Sequence, residues 1–160
     1  MSNRTIDFAS VLKSIDVNAP PERAFEAFAA FRWWPKSHSI LASKSPQVAV
    51  TVEPRVGGRW YERGEDGSEC DWGEVLSWEP PKRLVLSWHL NANFQIDPKI
   101  ATEVIVMFEP RGAGKTHVAL EHRLFERHGA EGKNMRAAVD SPDGWGGLLK
   151  AFATLADSLT

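Results

Sequence analysis

The sequence predicts an α+β fold: a curved antiparallel sheet of about six or seven strands wrapped around one long C-terminal helix, with a short helical segment after the first strand. Three observations predict it. The middle of the chain is a run of segments with alternating apolar residues, each closed by a short turn. Strands joined this way are antiparallel, because parallel strands need long crossovers. The final segment carries Trp145, Leu148, Leu149, Phe152, Leu155 and Leu159 at helical spacing. At 160 residues, with 42% hydrophobic and 25% charged, the chain has globular composition and enough length for a real core, so residues 1–160 are expected to form a single soluble domain.

Each element has its own signal. From Ile6 to Val17, Val11, Ile15 and Val17 alternate loosely with polar residues, which predicts the first strand. Asn18-Ala19-Pro20-Pro21-Glu22 starts a helix, since proline is tolerated in the first turn and Glu22 complements the positive end of the helix dipole. Ala24, Phe25, Ala27, Phe28 and Phe31 keep helical spacing, and the helix must end before Pro35, with Trp33 and Trp34 just ahead of the break. Ser37 to Ser45 reads as a loop. Strands follow at Gln47–Glu53, with Val48, Val50 and Val52 alternating, and at Arg59–Arg63 after the turn Pro54-Arg55-Val56-Gly57-Gly58. Gly64-Glu65-Asp66-Gly67 is a hairpin turn. Glu69–Trp78 is the next strand, closed by Pro80-Pro81, and Arg83–Leu90 places Leu84, Leu86, Trp88 and Leu90 on one face. After the polar connection Asn91–Lys99 come a strand at Thr102–Phe108, a turn at Pro110–Gly114 and a last strand at Lys115–Phe125. Glu126–Val139 is left open between a short helix and an ordered loop. Ser141-Pro142-Asp143 reads as cap and first turn of the final helix, where Gly144, Gly146 and Gly147 lower helix propensity and let another backbone come close.

Composition narrows the function classes. Net charge is −2 with no basic stripe, which argues against a nucleic-acid partner. Cys70 is the one cysteine, so no internal disulfide forms, and a reducing cytoplasm is the expected location. Met1 to Phe8 is polar without an apolar run of signal-peptide length, and no later stretch suits a membrane span. The seven tryptophans against one tyrosine point to a thick aromatic core or an aromatic-lined cavity.

Several words stand in a telling order: Ala19-Pro20-Pro21-Glu22-Arg23-Ala24-Phe25, Trp33-Trp34-Pro35, Val56-Gly57-Gly58-Arg59-Trp60, Gly73-Glu74-Val75-Leu76, Pro80-Pro81-Lys82-Arg83-Leu84-Val85-Leu86-Ser87-Trp88, and Gly144-Trp145. With these, the chain from Ser10 to Ser158 resembles the activator of heat-shock-protein-90 ATPase homologues, a family of the START-like (SRPBCC) superfamily. The resemblance implies the birch-pollen-allergen helix-grip fold. It also implies a cavity for lipids, hormones or polyketides, with some superfamily members acting as cyclases or hydrolases and the namesake binding a chaperone. Fold alone does not fix function.

The candidate cavity lies between the sheet and the last helix. Its predicted walls are Trp60, Trp72, Trp88 and Trp145, with Leu148 and Phe152 from the helix stripe. Glu74 shares the parity of Trp72, and His122 that of Leu120, so both are candidate polar groups inside it, while His38 sits in the loop after Trp34-Pro35. The rival expectation is that these residues simply fill the core, with Glu74 and His122 in water near strand ends. A bulge would flip part of any of these strands. His117 and His122 are five apart and point to opposite faces of a strand, so no metal and no cofactor is expected. Cys70 reads as a small buried hydrophobe. Arg111-Gly112-Ala113-Gly114-Lys115-Thr116 imitates the end of a phosphate loop, but its flanks are strands, so it reads as a hairpin turn. Binding of a small apolar or aromatic molecule is the leading expectation. An acid–base enzyme of the cyclase or dehydratase kind is the second, and a chaperone ATPase co-regulator the third. The expected state is a monomer or homodimer.

Overall fold

The computed structural model describes residues 8–91, 93 and 95–158. The expected strand start at Ile6 and the last helical position, Leu159, lie outside the described residues. Seven strands form one sheet: β1 (Val11–Val17), β2 (Gln47–Val52), β3 (Arg59–Gly64), β4 (Glu69–Glu79), β5 (Arg83–Trp88), β6 (Thr102–Pro110) and β7 (Thr116–Arg123). Their order is β1-β7-β6-β5-β4-β3-β2, and every neighbouring pair is antiparallel. The helices are α1 (Pro21–Ala30), α2 (Gly132–Asp140) and α3 (Trp145–Asp157). Consecutive strands β1 and β2 thus sit at opposite edges, and the chain between them carries α1 across to the far edge.

Helix α1 begins with Pro20 as N-cap, Pro21 in the first turn and Glu22 against the dipole. It stops at Phe31, which takes a left-handed φ of 53° and returns its N–H to Phe28 O. Its buried face, Ala24, Phe25, Ala27 and Phe28, packs on α3, where the Phe28 and Phe152 rings stand 5.2 Å apart, centroid to centroid. Helix α3 buries Trp145, Leu148, Leu149 and Phe152 in the same core as the inward residues of the strands. This is the helix-grip arrangement: a sheet curled about its last helix.

Three bulges revise the simple alternation. In β2 the pairing skips Val48, which turns outward while Gln47 and Val50 are buried. In β4 the ladder skips Trp72 on the β3 side and Leu76 on the β5 side. The inward residues of β4 are therefore Trp72, Val75 and Trp78, spaced by three rather than two, and Leu76 is exposed instead of facing the core. Gly73 makes the first of these shifts feasible, since a Cβ there would meet Ser87 O at 1.8 Å.

The segment left open becomes a 3₁₀ turn over Phe125–Glu131 followed by α2. Ser141-Pro142-Asp143 does not cap α3. Ser141 ends α2, with its N–H and Oγ both bonded to Ala138 O, and Gly144 is the N-cap of α3. The two helices turn so tightly that a Cβ on Gly144 would lie 2.1 Å from Val139 O. Arg111 N–H donates to Lys115 O at 2.9 Å and closes a hairpin between β6 and β7, as expected of the false phosphate loop. Among the described residues, no helix is long and apolar enough to cross a membrane.

Candidate functional site

A cavity of about 450 Å³ opens where three parts of the fold meet. One is the segment after α1, from Trp34 to Ile40. The second is the inner face of the sheet at Trp72, Trp88 and Leu90. The third is the α2–α3 corner, from Ala138 to Leu148. The volume suits a small organic molecule. Four indoles enclose it. Trp34 lies 5.3 Å from Trp72 and 6.0 Å from Trp145, and Trp88 lies 5.8 Å from Trp145, all between ring centroids. Among the described residues, polar side chains enter from two loops: Ser37, His38 and Ser39 on one side, Ser141 and Asp143 on the other. The His38 ring stands edge-on to Trp34.

The predicted site residues separate into two groups. Trp72, Trp88, Trp145 and Leu148 line the cavity together. Trp60 and Phe152 are fully buried behind that lining and pack the core. Glu74 lies on the opposite face of the sheet, in a shallow groove with Arg59, Asp71 and His89. The bulge at Trp72 shifts the parity of β4 by one residue and carries Glu74 outward, correcting its expected inward position. His117 pairs with Asp16 on the outside, opposite in facing to His122.

His122 is fully buried, which overturns the rival expectation of a solvated strand end, but it does not line the cavity as its candidacy as a polar group inside it expects. It stands directly behind the cavity lining. Trp145 Nε1–H donates to its Nδ1 at 3.0 Å, and its Nε2 meets Thr102 Oγ1 at 2.7 Å. An indole only donates, so Nδ1 is the acceptor, Nε2 carries the proton, and Thr102 passes its own proton on to Trp88 O at 3.3 Å. The chain of bonds links two lining tryptophans through one neutral imidazole. Burial, with a small push from His128, lowers the His122 pKa to about 3. His122 is therefore a support for the wall with no free nitrogen to offer as acid or base.

Glu62 was missed in the sequence. It is fully buried and receives four donors. Ser39 Oγ–H reaches Oε1 at 2.5 Å and Gln47 Nε2–H at 3.1 Å, while Ile40 N–H reaches Oε2 at 2.9 Å and Trp72 Nε1–H at 3.0 Å. Three of its four partners, Ser39, Ile40 and Trp72, line the cavity. One carboxylate thus staples the loop after α1 to β4. The signal was present: Glu62 shares the inward parity of Trp60, and a charged residue at an inward strand position must have partners. The indole N–H groups of Trp34, Trp60 and Trp88 are buried without a hydrogen-bond partner. Cys70 is half-buried, and burial, followed by the Glu62 and Asp71 charges, pushes its thiol up to about 11.

Comparison with known proteins gives a family and a set of folds. Residues 18–157 match the family described as activator of Hsp90 ATPase homolog 1-like protein. No curated protein matches the chain. Among solved structures, the anthrahydroquino-γ-pyrone synthase Txn09, complexed with SUM, is 39% identical over 91% of this chain and 96% of its own, with a TM-score of 0.62. CalC from Micromonospora echinospora, a self-sacrificing resistance protein, is 30% identical over 96% of this chain and 97% of its own, with a TM-score of 0.68. Protein MLL2253 from Mesorhizobium loti shares the fold at 22% identity, covering 94% of this chain and 98% of its own, with a TM-score of 0.66.

Proposed function

Because the chain belongs to the activator of Hsp90 ATPase homolog 1-like family, we propose that it uses the helix-grip cavity to bind a small, flat aromatic molecule. The observation that carries this reading is the ring of four indoles, Trp34, Trp72, Trp88 and Trp145, around about 450 Å³ of space. Such a ring offers flat apolar faces for stacking and very little hydrogen-bonding capacity. The 39% identity to a protein described as an anthrahydroquino-γ-pyrone synthase supports the same class of ligand. The test is quenching of tryptophan fluorescence across a panel of naphthoquinones, anthraquinones and fatty acids. Saturable quenching by the planar compounds is expected, and silence across the whole panel would refute the proposal.

The identity to a synthase favours a second reading, an acid–base enzyme on a polycyclic aromatic substrate. Its proton transfers would fall to His38 and Asp143 at the cavity mouth, because His122 is neutral and fully bonded and Glu74 faces away. Turnover of an anthraquinone-type substrate that disappears in both His38→Ala and Asp143→Asn, with binding retained, would establish it. Co-regulation of a chaperone ATPase draws its support from the family name alone.

A further inference from the structure

Glu62 does more than anchor a loop. Its four contacts decide the hydrogen-bonding sense of one wall of the cavity. Ile40 N–H, Gln47 Nε2–H and Trp72 Nε1–H are all donors, and the carboxylate accepts from each. Ser39 has a single hydroxyl proton, and that proton is committed to Glu62 Oε1. Leu41 N–H approaches one Ser39 Oγ lone pair at 3.4 Å, which leaves the other as the polar feature Ser39 can offer. The Trp72 N–H is likewise consumed. Ser39 and Trp72 together therefore offer the cavity a side-chain acceptor and no side-chain donor.

We propose that Ser39, polarised by Glu62, is a specificity residue that selects ligands carrying a phenolic hydroxyl, docked as donor to Ser39 Oγ. This inference rests on the aromatic-binding reading above and names the class of aromatic: hydroxylated rather than purely carbonyl-bearing.

The chemistry of the staple gives a sharp test through Glu62→Gln. Gln is isosteric but brings an NH₂ group that must avoid fixed donors. At Oε2 the partners are a backbone N–H and an indole N–H, neither of which can reverse. At Oε1 the partners are a rotatable hydroxyl and the Gln47 amide, and both can. The new NH₂ group therefore settles at the Oε1 position and donates to Ser39 Oγ. The Ser39 proton is then released, and Ser39 becomes a donor toward the cavity.

The experiment measures Kd by isothermal titration for 2-naphthol, which can donate, and 2-acetonaphthone, which can only accept. The quantity read is the ratio of ketone Kd to naphthol Kd, normalised to the same ratio in Ser39→Ala. Wild type is expected to give about ten, the worth of one ordinary hydrogen bond. Glu62→Gln is expected to bring the ratio below one. Equal ratios in wild type and Ser39→Ala would overturn the inference while leaving aromatic binding intact. If wild type binds neither probe up to its solubility limit, the underlying reading fails and the inference fails with it. Should Glu62→Gln fold poorly, the comparison of wild type with Ser39→Ala, a loop substitution, still decides the matter.

Discussion

Trp145 and His122 share a buried hydrogen bond of 3.0 Å in which the indole donates to Nδ1, and this bond holds the first turn of α3 against β7 behind the cavity. It requires the imidazole to be neutral, since a protonated Nδ1 would confront the indole N–H donor to donor.

The bond makes stability depend on pH in a definite direction. In the unfolded chain His122 takes up a proton near 6.5, and in the folded chain only near 3. Between these values the unfolded state holds more protons, so stability is complete above pH 6.5 and falls as pH drops toward 3. The slope approaches about 1.4 kcal/mol per pH unit for one such group. Burial lowers His128 in the same direction and adds to it. Urea unfolding from pH 7 to 4 should show this slope, and His122→Gln, which can still accept from Trp145 and donate to Thr102, should flatten it. An unchanged slope in the variant would assign the effect elsewhere.

Gly73→Ala should cost more than ordinary glycine replacement in a strand. The added Cβ would sit 1.8 Å from the Ser87 carbonyl oxygen, so the β4–β5 ladder must part. The expected loss is about 2–4 kcal/mol or failure to fold, and the shifted bulge should also disturb Trp72. Thermal unfolding checks the first, and near-ultraviolet circular dichroism of the indoles checks the second.

Phe152→Ala should lower stability and spare binding, whereas Trp72→Leu, which also removes a donor from buried Glu62, should lower both. Phe152 is fully buried between α1 and α3 and does not line the cavity, so its truncation should cost about 3–5 kcal/mol with ligand affinity little changed. Trp72 lines the cavity, and its replacement should weaken aromatic binding at least tenfold. Denaturation midpoints alongside quenching titrations separate the two effects.

Cys70 should be a sluggish thiol. With its pKa pushed up to about 11, alkylation by iodoacetamide at pH 7 should run far more slowly than for a free cysteine and accelerate steadily toward pH 10. Because the Glu62 charge is the second cause of this shift, Glu62→Gln should quicken the reaction. A rate insensitive to that substitution would count against a charged Glu62.

The fold was legible because its signals are local. Alternation, proline at the start of α1 and the Trp145–Phe152 stripe each act within a few residues, and the order of the family words supplied the topology. The site was legible only in part. Trp72, Trp88, Trp145 and Leu148 follow from strand parity and helix spacing, but Glu74 does not, because one inserted residue at Trp72 reverses the side chains after it until the second bulge at Leu76. Nothing local announces a bulge except the glycine that permits it. Ser39 and Ile40 were hidden for another reason: they reach the cavity through a staple to Glu62, more than twenty residues away in sequence.

The most direct test of the aromatic-binding proposal uses the seven indole N–H signals of a ¹H–¹⁵N correlation spectrum, assigned by single Trp→Phe substitutions. On titration with 2-naphthol, the signals of Trp34, Trp72, Trp88 and Trp145 should move and saturate together, while those of Trp33, Trp60 and Trp78, which do not line the cavity, should stay nearly still. Movement confined to the second set, or no saturable movement in the first, would contradict the proposal.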